Sequence, residues 1–287
     1  MQATLKTPVG VSGIGLHSGL SACMTIYPAP PMHGIAFQRT DIGGRSGLIY
    51  ARHDAVRDAR LCTVVSNIDG NSVSTIEHLM AALSASGIDN ALIEIDGPEV
   101  PIMDGSALPF LETFSLAGVV AQDRSRDPVM IKETIEVRMG DAWARLEPAD
   151  QLEISCLIDF QDQAIGRQEF NFFPERSDFA SEIAGARTFC RLSDVEMMRA
   201  SGRARGGSYD NAIVVDGSDI LTPGGLRLER EFVRHKVLDV IGDIALFGRP
   251  IVGRLTAERP GHALTNLLMR ELSGKMYSEK SCEAVAA

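Results

Sequence analysis

Three stretches of the chain carry apolar residues at helical spacing. In residues 232–244, read at about 100° per residue, the apolar positions fall on one face of a helix. This stripe, which we expect to pack on a core, consists of Val233, Val237, Val240, Ile241 and Ile244. Residues 74–85 carry a second stripe, made of Ile76, Leu79, Met80 and Leu83. A third, mostly apolar stretch predicts a helix over about 108–117.

Residues that favour helix termini mark where several helices begin and end. Ser74 or Thr75 is expected to cap the helix over 74–85, and Gly87 to end it. Ser193 and Glu196 have the spacing of a capping box, which predicts a further short helix that ends before residue 202. Two more helices are expected, one near 177–184 and a last one that follows residues 258–266.

Short apolar or alternating runs between turn residues predict strands. The runs are 22–27, 34–38, 48–50, 61–66 and 91–95, and then 129–135, 142–147, 152–159, 169–173, 212–215 and 251–257. Strands followed by helices, repeated once, indicate an α+β fold rather than a wheel of parallel βαβ units. A small strand–helix–strand unit is inserted just before residues 232–244.

A polar stretch at 121–128 is the best candidate for a linker. We therefore expect an N-terminal α+β domain over 1–122 and a C-terminal α+β domain over 128–287. The length of 287 residues is consistent with about two domains.

Composition narrows the class of protein. The net charge of −10 argues against general nucleic-acid binding, which depends on a basic surface. The five cysteines are scattered and none lies in a C-x-x-C motif, which is typical of a reducing compartment. The N-terminus lacks a signal peptide's apolar core, and no uncharged apolar run approaches the ~20 residues of a membrane helix. We expect a cytoplasmic protein without stable membrane insertion, whose sequence requires no nucleic-acid or protein partner.

Candidate metal ligands lie on a second face of the helix over 232–244. His235, Asp239 and Asp243 recur every four residues, and a histidine and an aspartate one turn apart can bind one zinc ion. The alternative is a surface ion pair of modest stability. A catalytic zinc usually has a third protein ligand. His78 is the natural choice, with Glu77 beside it, although Glu77 and His78 can also be read as a solvated pair.

The remaining polar residues suggest how such a metal site would hydrolyse an amide. Zinc polarises a carbonyl and makes water more acidic, while a base takes the proton of water and an acid protonates the leaving nitrogen. Glu77 is placed for the base and His262 for the acid, with Asp243 holding the imidazole. Thr188 could stabilise the developing oxyanion. His262 can also be a loop histidine, and His17, in a glycine-rich turn, is expected to be a hydrogen-bonded turn residue.

Six motifs together resemble those of the UDP-3-O-acyl-N-acetylglucosamine deacetylase family, the zinc enzymes of lipid A synthesis. They are S-T-I-E-H-L at 74–79, P-I-M-D-G-S at 101–106, A-R-T-F at 186–189, G-G-S-Y-D-N at 206–211, F-V-R-H-K-V-L-D-V-I-G-D at 232–243 and G-H-A-L at 261–264. The resemblance runs from Val11 to Asn266, and the combination is far more specific than any single motif.

The resemblance implies two domains, each with a sheet layer against a helix layer, and an active site between them. The implied reaction is hydrolysis of the N-acetyl group of UDP-3-O-(3-hydroxyacyl)-N-acetylglucosamine, with one Zn²⁺ per chain bound by His78, His235 and Asp239. Lys236 and Phe189 would contact the sugar and Phe160 would lie near the nucleotide. The inserted unit would line an acyl passage with Val195, Ala204, Ser208 and Tyr209.

The chain departs from the family's usual residues in three places. Cys190 and Arg191 follow A-R-T-F, where a glycine and an aromatic residue are common. Residues 202–205, G-R-A-R, replace an apolar stretch beside the acyl passage. Arg259 precedes the G-H motif and keeps a positive charge for a phosphate, in a different geometry. These changes leave two alternatives, a zinc amidohydrolase for another acylated amino sugar and a metal-stabilised binding protein without turnover.

Overall fold

Two five-stranded sheets with the same strand order organise the two halves of the chain. The computed structural model describes the backbone of residues 1–285, and the side chains of that range apart from residues 45 and 278–285. In the first half the strands are β1 (Ala3–Leu5), β2 (Val9–Ile14), β3 (Ser21–Pro28), β4 (Ile35–Arg39), β5 (Leu48–Tyr50), β6 (Val56–Asp58), β7 (Val64–Ser66), β8 (Ser72–Val73), β9 (Ala91–Ile95) and β10 (Val119–Ala121).

Up to residue 285, the second half adds ten further strands. They are β11 (Val129–Met130), β12 (Ile135–Met139), β13 (Ala142–Glu147), β14 (Glu153–Asp159), β15 (Arg167–Phe172), β16 (Phe189–Arg191), β17 (Ile213–Asp216), β18 (Asp219–Ile220), β19 (Ile251–Val252) and β20 (Arg254–Glu258). The α-helices in the described backbone are α1 (Glu77–Ala85), α2 (Leu108–Ala117), α3 (Leu192–Ala200), α4 (Glu231–Ala245) and α5 (His262–Val285). Short helical turns lie at Gly44–Gly47, His53–Ala55 and Ala180–Ala184.

The order of the first sheet is β2-β3-β9-β4-β5, and that of the second is β12-β13-β20-β14-β15. In both sheets the last strand enters the middle and runs parallel to one neighbour, β4 or β14, while the other pairs are antiparallel. In both halves a helix precedes that last strand and another follows it, so α1 corresponds to α4. The predicted α+β fold is confirmed, with the same topology used twice.

Helices α1 and α4 pack against each other where the two halves meet. The predicted stripes of both helices are buried, as expected from their spacing. Ala81 and Ala82 of α1 are fully buried. Because their side chains are small, they allow this close packing. On α4 the contact is made at Gly242, where an added Cβ atom would lie 2.0 Å from the carbonyl oxygen of Glu77. The faces that carry Glu77 and His235 are therefore also inside the protein.

The predicted caps of two helices are wrong. Helix α1 begins at Glu77 without a side-chain cap, because Ser74 donates to the carbonyl oxygen of Pro98 and Thr75 to the carboxylate of Glu99. Helix α3 begins at Leu192, so Ser193 lies inside it and makes no capping hydrogen bond. The predicted end of α1 is confirmed, since the residue Gly87 follows it with a φ of +67°.

Several predicted strands are shorter or divided. The run 61–66 contributes only β7, because residues 61–63 form a loop that reaches the candidate site. The run 129–135 separates into β11 and β12, and 251–257 separates into β19 and β20 at Gly253. An added Cβ atom there would lie 2.6 Å from the side chain of Ile131, so close packing interrupts the pairing. Of the helix predicted near 177–184, only the turn Ala180–Ala184 forms.

The inserted unit consists of β16, α3, β17 and β18. Its three strands form a separate sheet, in the order β16-β17-β18, and α3 buries no residue. None of the helices that the structure describes is both long and apolar enough to cross a membrane. Four cysteines are free thiols, and Cys282 lies outside the described side chains.

Candidate active site

Three predicted metal ligands meet at the contact between α1 and α4. His78 lies in the first turn of α1, while His235 and Asp239 lie one turn apart on α4. The Asp239 Oδ1 atom lies 3.3 Å from His235 Nε2 and 3.7 Å from His78 Nε2. One ligand atom from each residue falls within 4.8 Å of the other two, which is a geometry that can hold a metal ion. All three side chains are buried.

The hydrogen bonding around this triad fits a metal ion. His235 Nδ1 lies 3.0 Å from the carbonyl oxygen of Ala186, which orients the Nε2 atom towards Asp239. Asp239 Oδ1 is buried and makes no hydrogen bond to any of the described side chains or backbone atoms. A buried carboxylate oxygen without a donor is costly unless a cation binds it. Two imidazole nitrogens and one carboxylate oxygen are the donors that zinc prefers.

Electrostatics keep the three ligands in the protonation states that metal binding requires. Burial lowers the pKa of His78 to about 3, and it also lowers the pKa of His235. Burial opposes ionisation of Asp239, but the neighbouring His235 and Lys236 hold its pKa far below the ordinary value. Lys236 Nζ donates to Asp239 Oδ2 at 2.8 Å and leaves Oδ1 facing the histidines. The ligands are thus two neutral imidazoles and one anion.

A carboxylate and an imidazole face each other beside the triad. Glu77 Oε1 lies 3.8 Å from His262 Nε2, and the second nitrogen of His262, Nδ1, lies 2.9 Å from Asp243 Oδ2. Burial raises the pKa of Glu77 to about 7. Burial disfavours the charged form of His262, but the Asp243 and Glu77 carboxylates raise its pKa to about 10. Near neutral pH this pair therefore offers one group that can accept a proton and one that can donate a proton.

Thr63 is a component of the site that sequence patterns did not reveal. Its backbone N–H donates to Glu77 Oε2 at 3.0 Å, and its hydroxyl donates to Asp243 Oδ1 at 2.6 Å. The residue was expected to be part of a strand, and nothing in the local sequence marks a threonine that contacts a residue 180 positions away.

A cavity of about 780 Å³ lies next to these groups. It is lined by eight of the nine predicted oxyanion and substrate residues, namely Thr188, Phe189, Phe160, Val195, Ala204, Ser208, Tyr209 and Lys236. Leu61, Cys190, Met197 and Met198, which were not predicted, also line it. A cavity of this size with mostly apolar walls suits a ligand with a hydrocarbon chain.

Two predicted residues have surroundings that the sequence did not indicate. Arg259 is not among the lining residues, and its guanidinium pairs with Asp159 at 3.0 Å, so its contact with a phosphate stays a prediction. His17 lies in the expected turn, and its backbone N–H donates to Glu99 Oε1 at 2.8 Å. Its side chain lines the cavity, and neither ring nitrogen has a hydrogen-bond partner among the described residues, so a hydrogen-bonded ring is not found. Its position at the cavity follows from the loop 15–19, whose backbone is held by Glu99.

The arginines that distinguish this chain have different surroundings. Arg191 lines the cavity and pairs with Asp162 at 2.7 Å. Arg203 pairs with Asp58 at 3.3 Å, which links the inserted unit to the first half of the chain. Arg205 packs against Gly19, where an added Cβ atom would lie 2.9 Å from the arginine side chain. Neither Arg203 nor Arg205 is a lining residue, so of the three only Arg191 borders the cavity directly.

A triad of metal-binding side chains beside a buried carboxylate and imidazole, next to an apolar cavity, is typical of a metal-dependent hydrolase. Residues 2–274 match the family model described as UDP-3-O-acyl N-acetylglycosamine deacetylase (LpxC). The chain belongs to this family of deacetylases, which are metalloenzymes that hydrolyse an amide.

Individual relatives of the chain carry the name of the same family. The chain is 50% identical over 281 residues to the UDP-3-O-acyl-N-acetylglucosamine deacetylase of Myxococcus xanthus, covering 98% of this chain and 88% of the relative. It is 47% identical to the deacetylase of Phenylobacterium zucineum, with 99% of each chain covered. A deacetylase of Neisseria meningitidis is 44% identical over 274 residues, with 94% and 89% covered.

Proposed function

We propose that this chain hydrolyses the N-acetyl group of UDP-3-O-(3-hydroxyacyl)-N-acetylglucosamine in lipid A biosynthesis, releasing acetate and the free 2-amine. The observation that carries the proposal is the meeting of His78, His235 and Asp239 beside the facing pair Glu77 and His262, next to an apolar cavity. Family membership supports the same substrate class, because the relatives are named for this reaction.

We propose zinc as the metal, one ion per chain, held by His78, His235 and Asp239. When bound, zinc supplies Lewis acidity, which polarises a carbonyl group and makes water a stronger acid. The support is the donor set, two imidazoles and one carboxylate, together with the unpaired Asp239 Oδ1 atom. Lys236 neutralises the second oxygen of Asp239, so that this carboxylate offers one oxygen to a metal.

Glu77 and His262 divide the proton transfers between them. Glu77 takes a proton from the water whose oxygen attacks the acetyl carbonyl carbon. His262 donates its Nε2 proton to the amide nitrogen as the carbon–nitrogen bond breaks, so that acetate and a neutral amine leave. Asp243 keeps the His262 ring oriented and protonated through its contact with Nδ1. Thr188, at the cavity wall, stabilises the oxyanion that forms on the carbonyl oxygen.

The cavity holds the rest of the substrate in this proposal. Phe189 and Lys236 contact the sugar, and Phe160, whose ring lies 5.6 Å from that of Phe189, lies towards the nucleotide. The acyl chain lies along the inserted unit, against Val195, Ala204, Ser208 and Tyr209. Arg259 remains a predicted phosphate contact, and it must leave its ion pair with Asp159 to make it.

The proposal also includes the organisation and location of the protein. The boundary between residues 122 and 128 would separate two α+β domains, which is supported by the repeated strand order in the two halves. A cytoplasmic location is supported by the free thiols of Cys23, Cys62, Cys156 and Cys190, which are typical of a reducing compartment.

Acetate release tests the proposal directly. The zinc-loaded protein is given the substrate with 3-hydroxyacyl chains of several lengths, then treated with a chelator, and then given zinc again. We expect release that stops on chelation and returns with zinc. Release from a 3-O-acylated amino sugar that lacks UDP, at an equal rate, would instead favour an amidohydrolase for another acylated amino sugar. No release from any acyl length with zinc bound would contradict hydrolysis and favour a binding protein.

A further inference from the structure

Thr63 makes hydrogen bonds to both Glu77, the proposed base, and Asp243, the partner of the proposed acid His262. It lies in the loop between β6 and β7, in the first half of the chain, and only 2% of its surface is exposed. Its backbone N–H donates to Glu77 Oε2 and its hydroxyl to Asp243 Oδ1, which lies on α4 in the second half. One residue therefore touches the carboxylate that accepts a proton and the carboxylate that holds the donor.

The hydroxyl and the imidazole divide the two oxygens of Asp243 between them. Thr63 Oγ1 lies 2.6 Å from Oδ1, and His262 Nδ1 lies 2.9 Å from Oδ2. An ionised carboxylate only accepts hydrogen bonds, so both neighbours must donate to it. Because the Thr63 hydroxyl already occupies Oδ1, the imidazole is left with Oδ2, and its Nδ1 atom carries the proton.

We propose that Thr63 is a positioning residue for deacetylation, because its hydroxyl fixes the orientation of Asp243 and thereby keeps His262 Nε2 directed at the reacting nitrogen. The proposal rests on the roles given above to Glu77 and His262. His262 Nε2 lies 3.8 Å from Glu77 Oε1, so a rotation of the imidazole would separate the proton donor from the position where the base works.

Removing the hydroxyl leaves one oxygen of Asp243 without its donor. Asp243 is buried, with 3% of its surface exposed, and water cannot replace the lost hydrogen bond freely. Among the described residues only His262 Nδ1 then still donates to this carboxylate, so the carboxylate can rotate and the His262 ring follows it. Partners that orient metal-binding side chains typically contribute about 10- to 100-fold to activity, and we expect an effect of similar size for a partner that orients the proton donor.

Thr63→Val is the variant that isolates this hydroxyl. Valine keeps the shape of threonine, and the backbone N–H bond to Glu77 does not depend on the side chain. Thr63→Ser restores the hydroxyl and should restore function. Thr4→Val is the control, because Thr4 is also buried, at 5% exposed, and lies outside the site. Its hydroxyl donates to the carbonyl oxygen of Asn90 at 2.7 Å and accepts from the backbone N–H of Ala29 at 3.0 Å.

The experiment compares four zinc-loaded proteins, namely the unmodified protein, Thr63→Val, Thr63→Ser and Thr4→Val. For each of them we measure kcat, KM and bound zinc. We also measure the proton NMR signal of His262 Nδ1–H, which lies far downfield when an imidazole donates to a carboxylate. We expect Thr63→Val to lower kcat about 10- to 100-fold with KM and zinc content unchanged, and to shift or broaden that signal. Thr63→Ser and Thr4→Val should resemble the unmodified protein in both measurements.

An unchanged kcat and an unmoved signal in Thr63→Val would overturn the proposal, as would equal losses in Thr63→Val and Thr4→Val. If Thr63→Val does not fold, Thr63→Ala removes the same hydroxyl and is judged by the same two outcomes. An unmodified protein that releases no acetate would contradict the proposed function, while the NMR signal would still decide the role of Thr63.

Discussion

Gly242 of α4 lies directly against the backbone of Glu77 in α1, so that an added Cβ atom would meet the Glu77 carbonyl oxygen at 2.0 Å. The two helices therefore approach at the distance that only a glycine permits. His78 follows Glu77, and Asp239 lies one turn before Gly242 on α4. The contact between Gly242 and Glu77 thus sets the distance between the metal ligands of the two helices.

Replacing Gly242 with alanine should move the helices apart and weaken the site. Overpacking of this kind costs about 1–3 kcal/mol of unfolding free energy, and we expect a lower Tm together with reduced zinc content. Gly10→Ala in β2 is the control, since its added Cβ atom would meet the carbonyl oxygen of Met24 at 3.9 Å, an ordinary van der Waals distance. Equal zinc content and Tm in Gly242→Ala and Gly10→Ala would show that the helix spacing is not fixed by Gly242.

Glu231 should contribute strongly to stability. Its carboxylate is fully buried and accepts hydrogen bonds from the side chain of Arg187 at 2.8 Å and from the backbone of Arg227 at 2.6 Å. Glu231→Gln leaves the buried guanidinium of Arg187 without a counter-charge, which typically costs roughly 3–5 kcal/mol. Urea unfolding measures the loss, and Glu229→Gln, at an exposed position, should cost little. A loss as small as that of Glu229→Gln would contradict the expectation.

The pH dependence of acetate release should follow Glu77 and His262. Since the pKa of Glu77 is raised to about 7, protonation of this base should lower kcat/KM as the pH falls through that value. Since the pKa of His262 is raised to about 10, loss of its proton should lower kcat/KM above that value. A bound cation favours the ionised form of Glu77 and disfavours the protonated form of His262. Both the acid limb and the alkaline limb of the plot of kcat/KM against pH should therefore lie at or below these pH values in the zinc enzyme.

Asp243→Asn provides the check on the alkaline limb. Removal of this carboxylate takes away the main group that raises the pKa of His262, so the alkaline limb should move to lower pH while the acid limb moves less. A profile that keeps the same alkaline limb in Asp243→Asn would show that His262 is not the group that loses its proton there.

Val195 should influence which acyl chains are accepted. It lies on α3 and lines the cavity, whereas its neighbour Glu196 is exposed. Val195→Trp narrows the passage, so kcat/KM should fall more for long 3-hydroxyacyl chains than for short ones. Glu196→Gln is the control and should leave kcat/KM unchanged for both long and short chains. Equal losses for all chain lengths in Val195→Trp would place the acyl chain elsewhere.

The sequence predicts the parts of the site that depend on local spacing. His235 and Asp239 share a helical face because they are four residues apart, and the α+β fold follows from the order of strands and helices. The absence of a side-chain cap at the start of α1 could not be predicted. The hydroxyl of Thr75 donates to Glu99 instead, and Glu99 becomes its neighbour only in the folded chain. Thr63 escaped prediction for the same reason, because its partner Asp243 belongs to the other half of the chain.

Arg259 shows the same limit for a charged residue, because its ion pair with Asp159 could not be predicted from the sequence. Its charge and its position before His262 suggest a substrate phosphate as a partner, and that contact stays a prediction. In the folded chain the neighbouring strand β14 presents Asp159 within 3.0 Å of its guanidinium. A local pattern predicts which charge a residue carries, whereas the pairing of that charge depends on strands that are distant in sequence.

The most direct test of the account compares bound zinc with acetate release in Glu77→Gln. Glu77 accepts from Thr63 and faces His262 but is not one of the three metal ligands, so the variant should keep one zinc per chain. Glutamine cannot take the proton of water, and kcat should fall by about 10²- to 10⁴-fold. Full zinc content with almost no release would support the division of roles. Unchanged release would contradict it, because Glu77 would then not be the base.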